Sequence, residues 1–190
     1  MKKLIVLACI ALGMSSVAFA GKQKAPAPPP PPPAEKTCQF LGTWFGIASP
    51  ENPMLAGWVV SVTGQNSSHG TNNLEYPTFD PKLGFLDPAI VEFYGFDEAV
   101  RVSTLRGVWQ RTGGRTFTYS FMGMAVNENN VPVWIGRVSG DIELSEDCNT
   151  EHITAWMDVY LPSVSPFTGA AALSFPLPPH YGMRYALGTP

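Results

Sequence analysis

The side chains that could do chemistry in this chain are few and widely spaced. Its three histidines, His69, His152 and His180, have no histidine, cysteine or carboxylate partner at ligand spacing, so the pattern offers no metal site. Ser68-His69 stands in a polar stretch without a triad around it, and no Gly-x-Ser-x-Gly elbow occurs that would present a nucleophilic serine. His152 and Asp158 have numbers of the same parity and would share one face of a strand, where a buried imidazole and carboxylate could exchange protons with a substrate. The plainer reading turns that polar row to solvent. Arg101, Arg137, Glu92 and Asp158 are charges within otherwise apolar segments and are also expected to face water, unless two of opposite sign pair inside. No catalytic residue is assigned, no cofactor is implied, and a non-enzymatic protein is expected.

The elements that would position these groups begin after an apparent leader. Lys2 and Lys3, the apolar run Leu4 to Leu12 and then Ala18-Phe19-Ala20 have the form of a cleaved secretory signal over residues 1–20. The run is shorter than the roughly 20 residues a membrane-spanning helix needs, and no later run is longer, so no transmembrane helix is expected. The product would be periplasmic or secreted. Beyond the leader, which contains Cys9, two cysteines remain, Cys38 and Cys148, and an oxidising compartment makes a single disulfide the natural pairing. Closing so long a loop is worth roughly 4 to 5 kcal/mol in the chain-entropy view. The formal net charge of −3 becomes more negative once Lys2 and Lys3 are removed, and the other cations are scattered, which excludes a nucleic-acid track.

Residues 21–37 hold six consecutive prolines, Pro28 to Pro33, a run that favours the extended polyproline form and reads as a stiff linker, or alternatively as a ligand for an aromatic groove. The folded domain is expected over 38–190. From Val100 to Leu161 apolar residues recur two apart in four runs, Val100 to Arg111, Arg115 to Val126, Val131 to Leu144 and Glu151 to Leu161, joined by TGG, NENN and SEDCNT. Connections this short join antiparallel neighbours. Phe117, Tyr119 and Phe121 fall on one face and Thr116, Thr118 and Ser120 on the other, so the sheet has a dry and a wet side. Gly107, Gly123, Gly136 and Gly140 interrupt the strands, where a long sheet must bend.

Upstream, Phe40 to Ala48 and Gly57 to Gly64 read as strands, the second with Trp58, Val60 and Val62 on one face. Between Leu74 and Glu98 Pro77, Pro81 and Pro88 break the pattern, although Ala89 to Phe96 reads as a strand; the region suits a rim loop over a cavity or an irregular crossover. Phe167 to Phe175 and Tyr181 to Leu187 could add one or two closing strands. The sum is an all-β chain, an antiparallel up-and-down meander closed into a barrel of about eight to ten strands, with no amphipathic helix.

Leu41-Gly42-Thr43-Trp44, followed by RGVWQRTGGRTFTYSFMGMAVNENNVPVWIGRVSGDIEL and its Asp-Cys-Asn turn, resembles small secreted bacterial β-barrels of lipocalin-like, calycin type. The resemblance implies that Trp44 closes the barrel floor with an arginine from the last strand over it, by position Arg184, and that the interior binds an apolar molecule, as in some members. The Thr-Asp-Tyr motif and C-terminal helix of lipocalins proper are missing, which confines the likeness to the barrel.

A barrel of this size is filled by side chains or holds one small ligand. Leu105, Trp109, Phe117, Tyr119, Phe121, Trp134, Val138 and Met157 are the residues expected to line such a pocket, or else to form plain core. The leading expectation is a carrier of a small apolar or amphipathic ligand. A protein- or glycan-binding module using loops and the outer surface, and a barrel isomerase or cyclase, are the alternatives. The oligomeric state is not legible.

Overall fold

The computed structural model describes residues 36–47, 57–64, 67–77 and 79–185. The expected leader, nearly all of the proline-rich linker, Ala48 and the end of the tail lie outside these residues. Nine strands are described: β1 Gly42–Ile47, β2 Val59–Thr63, β3 His69–Glu75, β4 Arg101–Val102, β5 Leu105–Arg111, β6 Thr116–Val126, β7 Pro132–Leu144, β8 Thr150–Tyr160 and β9 Leu173–Tyr185.

Each strand pairs antiparallel with its neighbour, and β9 returns to β1 through Trp44 opposite Arg184 and Gly46 opposite Gly182, so eight strands close into a barrel. β4 is the extra strand. It continues the line of β5 along β6, displaced by one residue, since Arg101 faces Val126 whereas Arg106 faces Met122. Ser103 spans the break: its N–H donates to the Met124 carbonyl at 2.9 Å and its hydroxyl accepts the Met124 N–H at 3.1 Å. Closure joins the two edges an open sheet would expose, the usual hazard of an all-β chain, although β9 before Tyr181 has no described partner on its β1 side.

The period-two pattern sets the inside. On β6, Phe117, Tyr119, Phe121, Gly123 and Ala125 are buried while the alternate residues are not. The core falls into two clusters. One gathers Cys38, Phe40, Trp44, Trp109, Phe117 and Leu144 near the Cys38–Cys148 disulfide, and the other gathers Leu83, Phe96, Trp134, Met157 and Val159.

One expectation needs correction. Ala89 to Phe96 is not a strand: Pro88–Tyr94 is an α-helix, α1, followed by a 3₁₀ turn at Phe96–Glu98. The Asp87 carboxylate accepts the Ala89 N–H at 2.8 Å, Pro88 occupies the first turn, and Gly95 ends the helix at φ 70° with its N–H on the Glu92 carbonyl. Both ends carry the residues that favour helix termini, and these outweigh the strand-like composition of Ile90, Val91, Phe93 and Tyr94. The tail supplies one closing strand, within the one or two expected. Residues 162–172 form turns, and β9 runs for 13 residues through Pro176, Pro178 and Pro179. β9 meets β1 only at Tyr181 to Tyr185, and its register against β8 shifts between Ile153 and Ala155. The prolines therefore sit where a missing N–H removes no bond to β1.

Candidate functional site

Inside the barrel lies a cavity of about 70 Å³, running from Phe40 and Trp58 at one end to Phe79 and Trp134 at the other. One water position needs roughly 10 to 15 Å³ on a comparable measure, so the space fits a small organic molecule. Two glycines in its wall make room for the side chains packed beside them. A Cβ on Gly123 would come within 2.8 Å of Leu105 Cγ, and one on Gly136 within 2.9 Å of the Trp134 ring.

Among the described residues the wall is mainly apolar, with Glu151, His180 and the phenols of Tyr76 and Tyr119 as its polar side chains. Glu151, on β8, is buried at 1% exposure, faces the cavity, and neither carboxyl oxygen has a hydrogen-bond partner. Glycine makes room for it. Gly182 is its register partner on β9, and a Cβ there would lie 2.3 Å from Glu151 Oε1 and 2.6 Å from Trp58 Cη2. Gly46, opposite Gly182 on β1, would place a Cβ 2.2 Å from Trp58 Nε1. Paired glycines on adjacent strands thus form a flat floor on which the indole rests beside the carboxyl. The Trp58 N–H is also buried without a partner.

Burial pushes the Glu151 carboxyl up to about 8, against the opposing pull of Arg184. That arginine is held elsewhere. Its guanidinium lies 4.5 Å from the Trp44 ring and donates to the carbonyls of Leu41 and Gln39. His180, which packs edge-on against Trp58 at 6.0 Å, has its pKa lowered chiefly by burial and remains neutral near pH 7. Burial, with added repulsion from Glu151 and Asp141, raises the Tyr119 phenol well above its ordinary value. The pocket therefore presents a protonatable carboxyl, a phenol, an imidazole and an indole N–H within aromatic and aliphatic walls.

Of the residues expected to line a pocket, Leu105, Tyr119, Phe121, Trp134, Val138 and Met157 do so. Trp109 and Phe117 are not part of the lining; they pack against Phe40 at ring distances of 5.5 and 4.8 Å, filling the disulfide end. Trp44 lies in the same cluster, its indole N–H donating to the Phe40 carbonyl at 2.9 Å. His152 and Asp158 are on the other face of β8 from Glu151: His152 packs on Tyr181 at 5.0 Å, and Asp158 accepts a 2.6 Å bond from Arg137. Arg101 bonds Asn130, and Glu92 is exposed.

Sequence reasoning missed Glu151, Trp58 and His180 as members of the site. A usable signal existed for the first, because Glu151 shares parity with Ile153, Ala155, Met157 and Val159, all of them inward. Among the described residues no group of three or more His, Cys, Asp or Glu is placed to hold a metal ion. No described helix is long and apolar enough to cross a membrane.

Compared with models of known protein families the chain matches none, and comparison with curated proteins finds no match. The eight-stranded closed antiparallel barrel is consistent with a calycin-like fold.

Proposed function

We propose that this chain is an exported, non-enzymatic barrel of lipocalin-like type that holds a small, mainly apolar or amphipathic molecule in its interior. The observation that carries the proposal is the cavity, walled mainly by aromatic and aliphatic side chains, with Gly123 and Gly136 in its wall. Support for export comes from the leader pattern over residues 1–20 and from the Cys38–Cys148 disulfide, a bond that persists in oxidising compartments. The indole of Trp44 beneath Arg184 supports the lipocalin-like reading.

Trp58 and Trp134 both face the cavity, so intrinsic fluorescence reports directly on occupancy. Titration with short apolar and amphipathic molecules is expected to give a saturable change that Val138→Phe, which fills the space, weakens at least tenfold. A protein whose emission answers to none of them is not such a carrier. Export is checked separately: the mature product is expected outside the cytoplasm with Gly21 as its first residue.

A further inference from the structure

The chemistry of the buried carboxyl narrows what the cavity takes. We propose that the pocket recognises a small protonated amine, its apolar body along the aromatic wall and its ammonium group held by the Glu151 carboxyl. This rests on the carrier reading above and adds the class of ligand. Glu151 turns two acceptor oxygens toward the cavity, fully buried, with no donor from the protein on either. A carboxyl in that position is stabilised by whatever brings donors to it. An alkylammonium has three donors and no acceptor, whereas an alcohol has a single donor and a carboxylate none.

Among the described residues no cation is bonded to Glu151. Arg184 stacks on Trp44 and bonds the carbonyls of Leu41 and Gln39, and His180 is neutral. The rings of Trp58 and Phe40 line the same end of the cavity, and aromatic faces attract a desolvated cation. The net charge of −3 adds to the preference, drawing cations and opposing anions. A fatty acid's carboxylate brings no donor to Glu151, which ranks that ligand class below an amine.

The test uses three molecules of nearly equal shape, n-butylamine, n-butanol and butanoate, titrated into the ¹⁵N-labelled exported chain at pH 8 while the Trp58 indole N–H signal is followed. Butylammonium is expected to bind at least tenfold more tightly than butanol, with butanoate weakest. In Glu151→Gln the amine is expected to lose tenfold or more while butanol stays within threefold. Equal affinities for the three, a preference for butanoate, or an amine affinity untouched in Glu151→Gln overturns the proposal. If butanol shifts the Trp58 signal but the amine has no advantage, the amine inference alone fails; if none of the three nor any apolar molecule binds, the carrier reading fails with it.

A pH series on the unmutated chain tests the same point without a variant. The groups around Glu151 are Gly182, His180 and Arg184 on β9, Leu144 on β7, Tyr119 on β6 and Trp58 before β2. Of these, burial lowers the pKa of the His180 imidazole and raises that of the Tyr119 phenol from their ordinary values, so both shifts oppose a charge on these neighbours of Glu151. Glu151 must lose its proton before it pairs with ammonium, so amine affinity is expected to rise close to tenfold per pH unit from 6 toward 8 while butanol affinity stays level. A flat amine profile overturns the proposal.

Discussion

Each end of the barrel is closed by a buried tryptophan, and the two closures are built differently. At the disulfide end Trp44 donates its indole N–H to Phe40, carries Arg184 on its face at 4.5 Å, and belongs to a cluster that includes Cys38. Arg111 fastens the same region by donating to the Cys38 carbonyl and packing over Phe117 at 4.6 Å. At the other end Trp134 donates to the Pro81 carbonyl at 2.9 Å, and the covering segment from Phe79 through α1 to Ala99 contributes Leu83, Val91, Phe96 and Ala99 as buried apolar plugs. One closure is covalent and cationic. The other is apolar contact with few bonds. Apolar contacts of a loop and a seven-residue helix can part without unfolding the barrel, whereas a bond joining residues 110 apart in sequence cannot. Any passage for a ligand is thus expected at the Trp134 end, with Glu151 as the polar point met inside.

The strongest way to break the comparison is to remove the covalent closure. Replacing Cys38 and Cys148 together with serine is expected to lower the unfolding free energy by roughly 4 kcal/mol, read from denaturant midpoints, with no comparable loss from cutting contacts of the α1 segment. Next, Trp44→Ala and Trp134→Ala should each cost about 3 to 5 kcal/mol as large buried side chains. Trp44→Ala is expected to be the worse of the two, because it also strands the Arg184 guanidinium, whose Nε is already buried without a partner. Equal losses would show the two closures to be equivalent.

Between the ends, Glu151 should reveal itself through pH. Its folded carboxyl titrates near 8, above the ordinary carboxylate range that applies to the unfolded chain. The folded state therefore keeps a proton the unfolded state releases, and stability falls as pH rises from the ordinary range to about 8. Glu151→Gln removes that fall. The variant is expected to match the parent near pH 4 and to exceed it at pH 8 by an amount on the order of a few kcal/mol, measured by urea unfolding at both values. A parent stability that stays flat over this range would contradict the buried, unpaired carboxyl.

Two smaller effects sharpen the same map. Gly182→Ala forces a methyl onto Glu151 Oε1 and the Trp58 ring, and is expected to cost about 1 to 3 kcal/mol, with a shift in the Trp58 emission. Asp158→Asn disturbs a charge pair on the outer face, open enough that the loss should stay below about 1 kcal/mol. A larger loss there than at Gly182 would invert the assignment of inner and outer faces on β8.

Particular residues explain how far the sequence could be read. Phe117, Tyr119 and Phe121 alternate with Thr116, Thr118 and Ser120, and a strand has only two faces, so such alternation fixes which side is dry before any neighbour is known. Short polar turns at 112–114 and 127–130 fix antiparallel order in the same local way. The α1 segment was harder, since the apolar content of Ile90, Val91 and Phe93 pointed to a strand while its helix signals lay in single capping residues, Asp87, Pro88 and Gly95. The inward position of Glu151 shows only through its parity with Ile153, Ala155, Met157 and Val159, while the polar pair His152 and Asp158 lies on the opposite face.

By itself, then, the amino-acid sequence determined the alternation, the order of the strands in the meander and the pairing of its two downstream cysteines, since these depend on local period, loop length and count. Only the tertiary structure decided that β9 closes on β1, that Gly46 and Gly182 come side by side beneath Trp58, and that Glu151 is left without a partner in an open space. Those are properties of register between strands distant in the chain, and of the volume left after packing, which no local pattern encodes.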